Sequence, residues 1–264
     1  ELYSVPIDGS SSPTKLNETL VANGDIVSGP NVGYAISPNS QTVVYQADQD
    51  TDTINELYSV PISGSSSPVK LNGSLVSGGT VAEFSIARLG PGNFKVVYRA
   101  DQDTSGVSEL YSTPISSSSP VKLNNSMVTG GNVNKFLLSS NGQWVVYLAD
   151  EDTDDLRELY SVPTDRSQSP EKLNATVNEN VGYSPSISPD SNWVVYWANQ
   201  DLADDYELYR VAIDGAGSPD KIASVSLIYS FSPLGGIVIS PDSNWVVYQV
   251  DTNDENNREI FSVP

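Results

Sequence analysis

The chain has 264 residues, with 33 acidic side chains against 13 basic ones and a formal net charge of −20. Such an excess argues against nucleic acid or an anionic membrane as a partner and makes a cation the natural complement. Histidine and cysteine are both absent, which excludes Ser-His-Asp and Cys-His catalysis, His-based zinc or iron sites, and disulfides.

The first segment, Glu1-Leu-Tyr-Ser-Val-Pro6, recurs at Glu56, at Glu109 with Thr113 for the Val, and at Glu158, then in variant form at Glu207 and Glu259. Neighbouring copies are 55, 53, 49, 49 and 52 residues apart. A period near fifty means one supersecondary unit copied in tandem. No stretch approaches the roughly 18–20 apolar residues of a membrane span, so insertion into a membrane is not expected. Glu1 already lies within a repeat, which reads as a mature or trimmed end of what could be a larger parent chain.

Each repeat reads as four short strands. First strands are expected at 32–37, 82–87, 134–139, 182–188 and 235–240, commonly followed by Ser-Pro-Asn-Ser or Ser-Pro-Asp-Ser turns. Second strands centre on Val43-Val-Tyr45, Val96-Val-Tyr98, Val145-Val-Tyr147, Val194-Val-Tyr196 and Val246-Val-Tyr248. Adjacent strand residues point to opposite faces, so an unbroken apolar run must be buried on both, as between stacked sheets. Trp144, Trp193 and Trp245 precede the triplet and read as packing residues, whereas Trp197, outside that register, reads as an exposed aromatic contact. The third strand is the Glu-Leu-Tyr-Ser-Val-Pro segment, its Pro suiting a strand end. A Ser/Gly-rich turn then leads to an outer Lys-Leu-Asn strand, whose Lys discourages stray pairing.

Four antiparallel strands per repeat of this length describe a β-propeller blade. The series Ser-Pro-Asp-x-x-x-Val-Val-Tyr, acidic turn, Glu-Leu-Tyr-x-Val and Lys-Leu resembles the TolB-like, WD40-like (PD40) propeller repeat over essentially the whole chain. That resemblance implies a fold rather than a function, since such propellers serve as binding modules, scaffolds and accessory domains of peptidases. The expectation is one all-β domain spanning 1–264, a five-bladed propeller with blades at about 31–72, 81–124, 132–174, 181–223 and 235–264, the last completed by 1–17. Six copies of the third strand against five blades leave one surplus. Glu1, Leu2 and Tyr3, or Glu259, Ile260 and Phe261, are therefore candidates for strand exchange between molecules, with a frayed or trimmed end as the alternative.

Before each third strand lies an acidic cluster. Asp48, Asp50, Asp52 and Glu56, then Asp101 and Asp103, then Asp150, Asp152, Asp154 and Glu158 are candidate Ca²⁺ ligands, being hard oxygen donors at alternate positions followed by a later Glu. The alternative is a solvated turn, and the loops do not follow the twelve-residue EF-hand spacing. The acids recur in every blade, so no unique pair reads as catalytic. Asn17, Asn72, Asn124 and Asn174 are sequons in one register of the repeat and hence candidates for glycosylation, with chance and duplication as the alternative.

The function expected is non-enzymatic: an extracellular or cell-surface subunit, with the periplasm as an alternative, joined head to tail into an oligomer or filament. The alternatives are a module that binds glycan, peptide or another surface protein at a channel mouth, or the accessory propeller of a larger secreted enzyme. For the binding module, Trp197, Tyr206, Tyr229 and Phe231 are the candidate contacts.

Overall fold

A computed structural model describes residues 1–28, 33–177, 179–182, 184–201, 206–224, 236–251 and 258–264. Among them there are 21 strands and no helix, in the order the repeats predict. A third-and-fourth-strand pair comes first, then four complete sets of four, then a first, second and third strand. Chain contacts divide into two units, Glu1–Asn124 and Asn125–Pro264, and every sheet lies within one of them.

In the first unit, β1 (Tyr3–Ser4) and β2 (Thr14–Lys15) form a hairpin sheet of their own. A four-stranded antiparallel sheet follows: β3 (Tyr34–Ile36), β4 (Thr42–Ala47), β5 (Glu56–Pro61) and β6 (Val69–Lys70). The next holds β7 (Val81–Gly90), β8 (Asn93–Ala100), β9 (Glu109–Pro114) and β10 (Val121–Lys122). In the second unit, β11 (Val133–Leu138) to β14 (Glu171–Lys172) form one sheet, with β12 at Trp144–Ala149 and β13 at Glu158–Pro163. β15 (Ser186–Ile187), β16 (Trp193–Ala198), β17 (Glu207–Ala212) and β18 (Asp220–Ser224) form another. The last sheet has three strands, β19 (Val238–Ile239), β20 (Val246–Asp251) and β21 (Arg258–Val263).

The apolar triplet is buried on both faces, as its lack of alternation requires. Val43 and Tyr45 pack with Leu2, Leu16 and Val60 of the N-terminal side, while Val44 joins the opposite cluster with Leu57, Leu71, Val81, Val96 and Tyr98. In the second unit, Val194 and Tyr196 face Leu148 and Leu159, while Val195 and Trp197 face Val246 and Tyr248. Second and third strands keep one register in all five cases, setting Tyr45 opposite Tyr58 and Tyr248 opposite Phe261. These rings stack at centroid distances of 5.3–5.8 Å, within the range favoured for aromatic pairs.

The Ser-Pro-Asx-Ser turn explains its own composition. Ser37 Oγ donates to Asn39 Oδ1 at 2.6 Å, and Ser40 N–H donates to the Ser37 carbonyl at 2.8 Å. Ser40, Ser191 and Ser243 take φ near +60°, and the third repeat uses Gly142 at the same place, the residue for which that conformation has no steric penalty. In the second repeat the looser Arg88–Asn93 segment extends the β7–β8 hairpin instead.

Candidate functional site

Four side chains meet in each complete sheet where the acidic loop enters the third strand. Lys70 Nζ on β6 lies 2.6 Å from Asp50 and 2.8 Å from Glu56. The buried Glu56 also accepts from Tyr58 Oη at 3.0 Å, and the ammonium stands 5.9 Å over the Tyr58 ring. Lys122 repeats this with Asp103, Glu109 and Tyr111, Lys172 with Asp152, Glu158 and Tyr160, and Lys221 with Asp201 and Glu207. Burial works against the charge on Lys70, but Asp50 and Glu56 outweigh it and hold its pKa above the ordinary value. Burial, followed by the charge of Glu56, keeps the Tyr58 hydroxyl protonated far into the alkaline range.

The cation held at these loops is thus a lysine ammonium from the neighbouring strand. Asp48 faces the other way: one carboxylate oxygen takes the backbone N–H of Asp25, and the other that of Thr53 at 3.0 Å. Asp101 and Asp150 do the same for Thr80 and Asn132. Asp52 and Asp154 lie exposed at the loop tips. Among the described residues no group of three or more His, Cys, Asp or Glu is arranged to hold a metal ion. The clustering of acids in sequence therefore separates in space into caps, lysine partners and exposed tips.

Sequence reasoning passed over the residue after each first acid. Gln49 and Gln102 are buried and accept from Tyr45 and Tyr98 Oη at 3.1 and 2.8 Å and from the N–H of Glu18 and Gly73. Gln200 accepts from Tyr196, and Glu151 stands at the position in the third repeat, taking Tyr147 Oη at 2.8 Å and Asn125 N–H at 3.0 Å. Burial raises the Glu151 pKa. The signal was present as a Gln or Glu four residues after the second-strand Tyr in the first four repeats, Thr252 standing there in the fifth.

The sequon asparagines are buried. Asn17, Asn72, Asn124 and Asn174 Oδ1 accept the backbone N–H of Leu2, Leu57, Leu110 and Leu159 at 2.7–2.8 Å. For Asn17, Asn72 and Asn174 the amide nitrogen donates to the next residue's carbonyl. Each side chain thus replaces a rung of the sheet ladder and ends the outer strand. In the fourth sheet, where Ala223 stands at that position, the ladder simply continues, pairing Leu208 with Ala223 and Glu207 with Ser224.

Of the aromatic candidates, Trp197 is corrected: it is 1% exposed, edge-on to Tyr248 at 5.5 Å. Its strand runs between two packed sheets, so the side chain that breaks the triplet's register is still enclosed. Tyr206 is half-buried and donates to the Asn180 carbonyl at 3.2 Å. Tyr229 and Phe231 lie outside the described residues. A cavity of about 290 Å³ does lie in this unit, lined by Trp193, Arg210, Ile222 and Ile239 among others, with Arg210 stacked 4.9 Å over the Trp193 ring. Arg210 stands where the first three complete sheets have a buried Ser.

The outer copies of the third strand differ from the inner ones. Glu1 takes Lys15 at 2.6 Å and Tyr3 Oη at 2.6 Å, so the hairpin carries its half of the clasp. Yet Tyr3 is 52% and Val5 56% exposed, against 2% and 1% for Tyr58 and Val60. A cavity of about 380 Å³ opens beside them, lined by Val5, Pro6, Thr14 and Ile62. β21 has the converse lack. Phe261 stacks on Tyr248, but Ile260 is 76% exposed, and Glu259 forms no ion pair among the described residues.

No family profile matches the chain and no curated protein matches it by sequence. Solved structures do. An oligogalacturonate lyase in complex with manganese aligns over 96% of this chain and 68% of its own at 10% identity, with a TM-score of 0.58. The oligogalacturonate lyase of Vibrio parahaemolyticus gives 96% and 68% at 11% identity, TM-score 0.53. A candidate TolB of Agrobacterium tumefaciens aligns over 84% of this chain and 74% of its own at 18% identity, with a TM-score of 0.46. At such identities the likeness speaks for the fold alone: this chain shares with those structures a fold of repeated antiparallel β-sheets.

Proposed function

We propose that the chain is a non-enzymatic structural subunit whose propeller has five blades, the fifth built jointly from strands at the two ends of the repeat series. Exchange of a third-strand copy joins one molecule to the next, head to tail, in an oligomer or filament at the cell surface or elsewhere outside the cytoplasm. One observation carries this reading. Among the described residues, β1–β2 supplies a third and fourth strand without a first and second, and β19–β21 supplies a first, second and third without a fourth. The lyases among the fold neighbours are enzymes; without histidine, the acid–base groups here are carboxylates, lysines and tyrosines. In the complete sheets the repeated ones are bound to one another or to backbone amides.

Light scattering with negative-stain imaging tests it, on the whole chain and on chains lacking 1–17 or 259–264. Mass should grow with concentration and stop growing in at least one truncation; monomers at every concentration overturn the reading. In the same reading the acidic loops need no Ca²⁺, because a lysine already bridges the two carboxylates of each clasp. Calcium at roughly 1 mM, a level that extracellular sites bind, should leave the melting temperature unchanged. A rise of several degrees would restore calcium as their ligand.

A further inference from the structure

The third repeat departs from its neighbours at three places at once. Glu151 stands where the other repeats have Gln49, Gln102 and Gln200. Asn125 follows the capping Asn124, where Glu18, Gly73 and Ala175 follow theirs. Arg166 stands eight residues after the third strand's first Glu, where the first, second and fourth complete repeats have Gly64, Ser117 and Gly215. Arg166 takes φ +59°, a left-handed conformation that is free for glycine and costly for a residue with a Cβ. Something must hold it there.

The three side chains are joined. Glu151 is 2% exposed, and its Oε1 accepts from Tyr147 Oη at 2.8 Å and from the Asn125 N–H at 3.0 Å. Gln102 Oε1 serves Tyr98 and the Gly73 N–H in the same way. The second oxygen of Glu151 accepts from Asn125 Nδ2 at 3.2 Å. That bond orients the amide and turns Asn125 Oδ1 toward Arg166, whose Nη2 donates to it at 3.3 Å. Arg166 Nη1 donates to the Gln168 carbonyl at 2.9 Å, so one guanidinium ties the 165–169 turn both to itself and to residue 125. Burial, then the Glu151 charge, raises the Tyr147 pKa, and the charge of Arg166 opposes them from the turn.

We infer that Asn125 is a polarised relay through which the Glu151 carboxylate latches Arg166, and that loss of the charge at 151 unlatches the 165–169 turn. A carboxylate only accepts, so it takes the Nδ2 end of Asn125 and presents Oδ1 to the guanidinium, which only donates. A neutral amide at 151 keeps its oxygen on Tyr147 and the Asn125 N–H and turns a donor toward the Asn125 side chain. The Asn125 amide then reverses, two donors meet at Arg166, and the guanidinium leaves. Repeats with glutamine at this place carry no arginine in the turn. In the fourth the turn comes up close instead, and a Cβ at Gly215 would meet Glu171 at 3.1 Å.

Denaturant unfolding of the whole chain tests this with substitutions that other repeats already carry: Arg166→Gly, Glu151→Gln and Asn125→Ala. The effect of Arg166→Gly is compared in three backgrounds, so that glycine's own backbone contribution, common to all, cancels. On the unfolding constant it should be about two- to tenfold more destabilising in the wild type than in chains carrying Glu151→Gln or Asn125→Ala, the weight of one hydrogen bond. Hydrogen exchange gives the local readout. The amides of Arg166 and Ser167, bonded to the Pro163 carbonyl and to Asp165 Oδ1, should lose protection several-fold in the Glu151→Gln and Asn125→Ala chains, even where the whole chain melts higher. Three results overturn the inference. An equal effect of Arg166→Gly in the wild type and in Glu151→Gln would mean that the carboxylate does not orient the amide. An effect undiminished by Asn125→Ala would mean direct attraction between the charges, without a relay. Unchanged exchange at 166 and 167 would mean that the turn is held by its own bonds.

Discussion

One six-residue segment and its close variants fold to different standards within this molecule. In β5, β9 and β13 the segment Glu-Leu-Tyr-Ser is buried throughout, with its Glu bound by Lys and Tyr and its Leu N–H capped by Asn. Among the described residues, β1 has its Lys and Asn but pairs with no inner strand, while β21 pairs with its inner strand β20 but with no Lys and Asn. Neighbouring strands, rather than the segment's own propensity, determine how well it is held, as expected for repeats that cannot bury their faces alone.

Substitutions at matched positions sharpen that contrast. The largest difference is expected at the strand's second residue. Leu57→Ala removes a fully buried side chain and should cost about 2–5 kcal/mol of unfolding free energy, whereas Ile260→Ala should stay within about 0.5 kcal/mol in dilute solution. Denaturant midpoints at constant slope measure both. Equal effects would break the comparison.

Next come the clasps. Lys70→Met leaves Glu56 buried beside Asp50 without its cation and should cost about 1.5–3 kcal/mol, the range for hydrogen bonds to charged groups. Lys15→Met, at the exposed Glu1, should leave thermal unfolding unmoved. Asn72→Ala strands the Leu57 N–H and should cost about 1–3 kcal/mol, while Ala223→Asn, placed where the ladder already supplies the rung, should bring no gain.

The smallest effect is expected at Glu151. Its pKa is raised in the folded state by burial, so the proton is held more tightly in the folded than in the unfolded chain. Its contribution to stability is present below the ordinary carboxylate pKa of 4.5 and is lost as pH rises through the folded value. Glu151→Gln, the amide that Gln49, Gln102 and Gln200 carry at this place, should therefore raise the melting temperature at pH 7 and change it little at pH 4. Equal shifts at the two pH values would mean that charge is not the cause.

Strand number and order were legible in the sequence, because a triplet apolar on both faces and a recurrent Glu-Leu-Tyr leave few alternatives. What the carboxylates do was less so. Asp48, Asp50 and Glu56 lie within one loop-and-strand stretch, but their partners are Thr53, Asp25 and Lys70, the last 14 residues beyond Glu56 on β6. Pairing across strands sorted them, and spacing along the chain does not reveal it. The Lys-Leu-Asn register was visible, yet it reads equally as a sequon and as a strand cap, and only the burial of Asn72 and its bond to Leu57 N–H reveal the capping role. Trp197 misled because exposure was inferred from its departure from the Trp register, whereas the face it occupies is covered by the next sheet.

Hydrogen exchange at two protein concentrations tests the central claim most directly. In dilute solution the amides of 2–5 and 258–263 should exchange faster than those of 56–61. At associating concentration the amides of at least one of these two terminal segments should become more protected. Exchange at both that does not depend on concentration would contradict the account.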